Sequence, residues 1–232
     1  MITVRPAGAR GATRTSWLES RHSFSFGDFH DPAQMGFGPL RVINDDVVQG
    51  GAGFAPHSHA NMEILSFVVA GALAHRDSVG SGATLNTGDV QWMSAGHGIR
   101  HSEFNASADA PVRFVQVWIQ PDVLNAPPAY ADRSFPPALR TGRWCLVAAP
   151  TGKDGALPIR QDVRVFAADA APGTSIDYEL AAGRRAWLQV VDGELELNDV
   201  TLVAGDGAAV SEETRVRVRA TRDASALLFD LP

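Results

Sequence analysis

Short valine-rich runs recur along the chain: FVVAGAL, DVQWM, VRFVQVWI, WCLVAAP, RAWLQVVDG, VTLVAGDGAAV and ALLFDL, each bounded by Gly, Asp, Asn or Pro. Apolar runs of this length between turn formers are strand signals. Spacing of three and four residues is weak throughout, and only residues 126–133 offer a short helix. The expected fold is therefore all-β: many short antiparallel strands closing into sandwiches or barrels, with a few short helical segments.

The pattern also repeats. VVAGALAHRD followed by TGDVQWMSA parallels VVDGELELND followed by AGDGAAVSE, beginning at Val68 and Val190. Each copy is a strand, a glycine turn, a strand and a Gly-Asp turn into another strand, and each ends on an apolar strand, VRFVQVWI or ALLFDL. This argues for an internal duplication. Between the copies lies PDVLNAPPAYADRSFPP, whose prolines disfavour central strands and suit an interdomain connection. The boundary expected is near Pro137, giving domains 1–137 and 138–232. The first 40 residues or so, with HSFSFGDFHDP, are expected to wrap or extend the first domain.

Composition narrows the function classes. Of 232 residues, 45% are apolar, a normal supply for packed cores. No apolar run approaches the ~20 residues of a membrane span. The single cysteine, Cys145, cannot form an internal disulfide, and the sequence opens without a charged, apolar leader, so a cytoplasmic protein is expected. A net charge of −6 repels phosphate backbones, which argues against direct nucleic-acid binding. RVRVR is the one basic cluster; its Arg215, Arg217 and Arg219 share one side of a strand, as on a solvated outer face.

All seven histidines lie at or before His101, so only the first copy carries metal-type side chains. In PHSH, His57 and His59 point the same way from an extended strand, roughly 6.5–7 Å apart along the backbone. In GIRHSEF, His101 and Glu103 repeat that parity. Two such strands side by side would deliver three imidazoles and a carboxylate to one interior, a donor set suited to Fe(II), Mn, Ni, Cu or Zn. His97, between glycines, reads as a turn residue. His75 reads as a polar contact beside Arg76 and Asp77, and Trp92 and Met93 as packing groups lining the first barrel. His22 and His30 fall among Phe24, Phe26 and Phe29, read as core or lid, and Cys145 reads as a small buried apolar residue.

GFAPHSHANMEILSFVVAG and GDVQWMSAGHGIRHSEFN resemble the two motifs of the cupin superfamily. Ser94 stands where many cupins have proline, and the last histidine comes two residues later than usual. With MGFGPLRVINDD, MEILSFVVAGALAHRDS and the terminal LLFDLP, the chain resembles the pirin family over its whole length, most strongly between Met35 and Glu103. The resemblance implies a bicupin, two antiparallel jelly-roll barrels, with one metal, usually iron, in the first and none in the second. It implies His57, His59, His101 and Glu103 as ligands. Glu63, the acid a typical cupin uses, is the alternative to Glu103 and is otherwise expected to orient an imidazole from outside the ligand set. The implied activity is that of a quercetin 2,3-dioxygenase, which opens the central ring of a flavonol with O2 and releases CO, with Glu103 as the catalytic base. The alternative is an iron-dependent, redox-responsive transcriptional co-regulator acting through a protein partner.

Overall fold

The two valine-rich repeats turn at equivalent glycines. Gly71 and Gly193 have φ of 80° and 79°, left-handed values that only glycine adopts without cost. Space makes the same demand: a Cβ would lie 2.8 Å from the Pro111 carbonyl oxygen at Gly71 and 1.8 Å from that of Asp223 at Gly193. Each turn lets a long buried strand, Glu63–Ala70 or Arg185–Asp192, leave its sheet and continue as Ala72–Asp77 or Glu194–Leu197 in a second sheet.

The computed structural model describes residues 1–232. Its first unit comprises Gly11–Phe135 with Leu157–Gln161. A seven-stranded antiparallel sheet runs in the order Ala129–Ser134, Asp89–Ser94, Glu63–Ala70, Val112–Ile119, Leu40–Val48, Leu18–His22, Gly11–Arg14. A four-stranded sheet runs Gly53–His59, Ile99–Asn105, Ala72–Asp77, Gly82–Asn86. The second unit comprises Met1–Arg10, Pro136–Ala156 and Asp162–Pro232. There Gly207–Val210, Arg185–Asp192, Ala224–Leu231 and Arg164–Ala170 repeat the central order of the first large sheet. Ser175–Glu179, Arg215–Ala220, Glu194–Leu197 and Val200–Val203 repeat the small one. The fold is the all-β bicupin the sequence implied.

The chain is threaded differently from a single cut near Pro137. Ile2–Arg5 pairs with Gly207–Val210, the Met1 ammonium lies 2.7 Å from Glu213, and the Ala7 N–H donates to Asp206 at 2.6 Å, so the first ten residues belong to the second unit. The proline-rich segment is more than a connection. Its Ala129–Ser134 is an edge strand on Asp89–Ser94, the one place in a sheet where flanking prolines leave no central ladder broken. The helix expected over 126–133 is this strand, and the short helix sits later, at Pro137–Arg140.

RVRVR is a half-buried strand: Val216 and Val218 are buried and the arginines exposed. Arg215 pairs with Glu179 at 2.8 Å, Arg217 with Asp177 at 3.0 Å and Arg219 with Glu196 at 3.0 Å. The basic face is thus neutralised in place. Cys145 is half-buried on Cys145–Ala149 rather than fully enclosed.

Candidate metal centre

A regular ladder would aim His57 the wrong way. Phe54 pairs with Glu103 and faces the interior, so strict alternation would put residue 56 inside and residue 57 outside. The register shifts between His101 and Glu103, where His57 comes opposite His101 although His57 is three residues from Phe54 and His101 only two from Glu103. This bulge, which contains Pro56, inserts one residue and reverses the parity, so that His57 and His59 turn inward.

His57, His59 and His101 therefore meet. Their ring centroids lie 4.8, 4.5 and 5.0 Å apart in the pairs 57–59, 57–101 and 59–101, and their nearest ring nitrogens all lie within 4.8 Å of one another. The His57 Nδ1–H donates to the Ala55 carbonyl at 2.9 Å; since a carbonyl can only accept, Nε2 is the nitrogen left to ligate. His101 is 2% exposed, and neither of its ring nitrogens has a hydrogen-bond partner. Two orphaned nitrogens on a buried imidazole are costly unless something else takes a lone pair. Burial, followed by the neighbouring His57 and His75, pushes His101 down to about 3. Burial, followed by His101 and His57, pushes His59 down to about 4. Both are neutral at physiological pH, the form that ligates metal. The residues present fit a divalent transition ion.

Glu103 is buried on the same strand as His101. Its Oε1 accepts from Gln91 Nε2 at 2.6 Å and Ser66 Oγ at 3.2 Å, and its Oε2 accepts from Gln116 Nε2 at 2.7 Å. These three donors fix the carboxylate's orientation, as metal-site carboxylates commonly require. Glu103 joins the imidazoles from one side: one of its oxygens groups with a nitrogen each of His75 and His101, also within 4.8 Å, so the two sets share His101.

His75, expected as a polar contact, is also one of the donors grouped with His101 and Glu103. It does approach Asp77, with Nε2 3.3 Å from Oδ2, but it is 1% exposed, its Nδ1 has no partner, and its ring stacks on Tyr130 at 4.6 Å between centroids. Burial, then Asp132, pushes the Tyr130 hydroxyl up. His97 is an exposed turn residue as expected.

Glu63 is elsewhere. It lies three residues from Ser66 on one strand, hence on the opposite face from the residue that reaches Glu103. It accepts from Trp92 Nε1 at 2.7 Å, Ser94 Oγ at 2.5 Å and the Arg160 backbone N–H at 3.0 Å, while Arg160 Nη1 donates to Ser94 Oγ at 2.7 Å. No imidazole is oriented by it. It anchors the returning segment Leu157–Gln161 to the first unit, and Ser94, odd for a cupin, is part of that anchor. Trp92 belongs to this outer contact, whereas Met93 packs with Ile64, Ala95 and Ile99. The parity of EILSFVVA shows which face Glu63 takes once Ser66 is known to point inward; Arg160 left no local signal in the sequence.

The residues holding Glu103 did leave one. A single inward polar residue interrupts each of three apolar strands: Ser66 in EILSFVVA, Gln91 in DVQWMS and Gln116 in VRFVQVWI. They lie side by side in the ladder, Gln91 opposite Ser66 and Ser66 opposite Gln116. Beside the centre opens a cavity of about 620 Å³, bordered by His57, His59, Glu103 and the rings of Trp17, Phe26, Phe54 and Trp118.

A double jelly roll with a buried histidine centre in its first barrel defines a cupin metalloprotein. Residues 3–119 match the pirin family model and residues 146–231 that of the quercetinase C-terminal cupin domain. The chain belongs to the pirin family. It is 41% identical over 232 residues to the quercetin 2,3-dioxygenase of Escherichia coli K12, covering all of this chain and 99% of that one. It is 38% identical to a pirin-like protein of Caulobacter vibrioides, covering 99% of each. The bacterial pirin YhhW of Escherichia coli, crystallised in complex with nickel(II), superposes with a TM-score of 0.95 at 41% identity, covering all of this chain and 99% of that one.

Proposed function

We propose that this pirin is a metal-dependent dioxygenase of flavonol-like phenols, acting on quercetin with O2 and releasing CO. The observation that carries the reading is His101, buried with both nitrogens unpartnered beside two further imidazoles at the edge of an aromatic cavity. His57, His59, His101 and Glu103 would hold one ion. Fe(II) is proposed, with nickel the first alternative because a relative was crystallised with it; Cu, Mn and Zn suit the same donors. When bound, the metal supplies Lewis acidity to the flavonol 3-hydroxyl and coordination positions open to substrate and O2.

The protein's own part is positioning and proton transfer. The rings of Trp118 and Phe54 border the cavity beside His59 and His57, where they exclude water and flank a planar substrate. Glu103 takes the 3-hydroxyl proton: Oε2 accepts one bond, from Gln116, and its one remaining lone pair is free for the proton whenever the carboxylate is not holding the ion. Gln91 and Ser66 hold the carboxylate still while it does so. The co-regulator alternative rests on the family resemblance alone; each arginine of RVRVR already has an acidic partner, so that strand adds nothing to it.

Iron-loaded protein in air is expected to bleach the near-visible absorbance of quercetin with CO release, and His57→Ala to abolish both. Equal bleaching by the variant would refute the proposal.

A further inference from the structure

His101 belongs to two groups of donors. One is the three-imidazole set with His57 and His59; the other is His75, His101 and Glu103, whose ligating atoms meet the same 4.8 Å limit. The second group lies deeper. Its members are 1, 2 and 1% exposed, whereas His57 and His59 are half-buried. Two imidazoles and one carboxylate are a set that by itself holds a divalent ion such as Fe(II) with positions left open.

The residues behind His75 prepare it for that role. Asp77 Oδ1 accepts from the backbone N–H groups of Val79 at 3.0 Å and Ser81 at 2.9 Å, which fixes the carboxylate in its turn. Its other oxygen, Oδ2, lies 3.3 Å from His75 Nε2. A carboxylate can only accept, so Nε2–H donates and Nδ1 is the nitrogen left to ligate. That nitrogen is buried and has no hydrogen-bond partner. A carboxylate behind an imidazole is the usual support of a metal-ligating histidine. Tyr130 steadies two members of the group at once: its ring stacks on His75 with an interplanar angle of 16°, and its hydroxyl donates at 3.3 Å to Gln91, the amide that holds Glu103. The fold itself asks for no polarity here, since Leu197, Val216 and Val218 fill the matching positions of the second barrel.

We infer that His75, His101 and Glu103 form an inner position for the ion, an alternative to the one that includes His57 and His59. A neutral imidazole has one lone pair, so His101 serves one ion at a time and the two positions exclude each other. His75 is then a ligand, and Asp77 the residue that orients it. The inference rests on the metal-binding part of the proposed function and not on the dioxygenase activity.

The test is Co(II) binding to metal-free protein by equilibrium dialysis, with bound cobalt counted and its visible absorption recorded. His57→Ala/His59→Ala, which removes the outer imidazoles, is expected to keep one cobalt per chain with a visible spectrum unlike that of wild type. Adding His75→Leu, the residue of the second barrel, is expected to weaken retention at least ~10-fold. Adding Asp77→Asn instead is expected to weaken it by a similar factor, about 10-fold or more. The asparagine oxygen can still accept from Val79 and Ser81, while its amide donates to Nε2 and leaves the proton on Nδ1, so this variant separates ligation from folding. Loss of cobalt from His57→Ala/His59→Ala while wild type keeps one ion would overturn the inner position and leave the outer one standing. Retention that either added substitution leaves undiminished would overturn it equally. Wild type without cobalt would sink the metal centre as a whole. Retention by His57→Ala/His59→Ala as tight as that of wild type would uphold the inner position and remove His57 and His59 from the ligand set.

Discussion

The two barrels have one topology and opposite interiors. Register carries the comparison residue by residue. Gln91, Ser66, Gln116 and Asn44 of the first correspond to Ala208, Leu188, Leu228 and Phe166 of the second. His75, His101 and Glu103 correspond to Leu197, Val216 and Val218. In the second barrel those positions join one continuous apolar core with Ile176, Leu195 and Ala220. In the first the apolar residues divide into separate clusters around the polar centre. The same scaffold thus supports either a packed core or a cavity, and the choice lies in about seven inward side chains and one bulge. In the second barrel Ile176 faces Val218 and Tyr178 faces Val216 without a register shift. The bulge at Pro56 is peculiar to the barrel with the histidines, as expected of a device that re-aims a functional side chain.

The comparison is broken most severely by giving the first barrel the second's residue. His101→Val is expected to lower metal retention at least ~100-fold, since it removes the one imidazole common to both donor groups. Metal-free protein should lose no stability, because a buried ring with two unpaired nitrogens is replaced by an apolar side chain that the matching position already accepts. Metal analysis after dialysis, paired with calorimetry of the apo protein, checks both halves. A variant that keeps its metal would show that His101 is structural.

The converse substitution acts on stability alone. Leu228→Gln places a Gln116-like amide in the second barrel, where Leu188 and Ala208 offer no partner. The expected cost is about 1–3 kcal/mol for burying the amide unpaired. In a chain of this size that lowers Tm by about 2–4 °C per kcal/mol. Metal content should not change. A neutral outcome would mean that the second core has room for water, contrary to its continuous packing.

How much of this was legible in the sequence follows from what is local. Strands, the duplication and the shared face of His57 and His59 are periodicity, which the chain displays directly. The bulge was not legible, because PHSH reads the same with either face inward and only pairing to Ile99–Asn105 decides. His75 looked like one more polar residue beside Arg76 and Asp77. Its inward aim depends on lying opposite Glu103, and its stacking partner Tyr130 comes from a segment whose prolines read as a linker. Glu63 had a familiar spacing from His59, but spacing along the chain says nothing of the connection at 60–62 that puts the two on different sheets. The first ten residues crossed to the second unit through a long-range strand pairing that no local pattern announces.

The gentlest probe concerns Asp46, whose counterpart is Ala168. Burial, reinforced by the charges of Asp45 and Glu103 and opposed by the Ser20 hydrogen bond, pushes its carboxyl group up from 3.8 to about 7. A raised carboxyl pKa means that the folded state holds a proton the unfolded chain has released. Its contribution to stability is therefore complete below pH 3.8, and is lost progressively as pH rises to about 7. Asparagine, neutral at every pH, escapes that loss. Apo Asp46→Asn should match wild type near pH 4 and exceed it increasingly towards pH 8, by on the order of 1 kcal/mol, or about 2–4 °C in Tm. A pH-independent difference would place the titration elsewhere. The titration thus sharpens the comparison: the first barrel carries a buried acid that weakens it at neutral pH, and the second has alanine at the matching position.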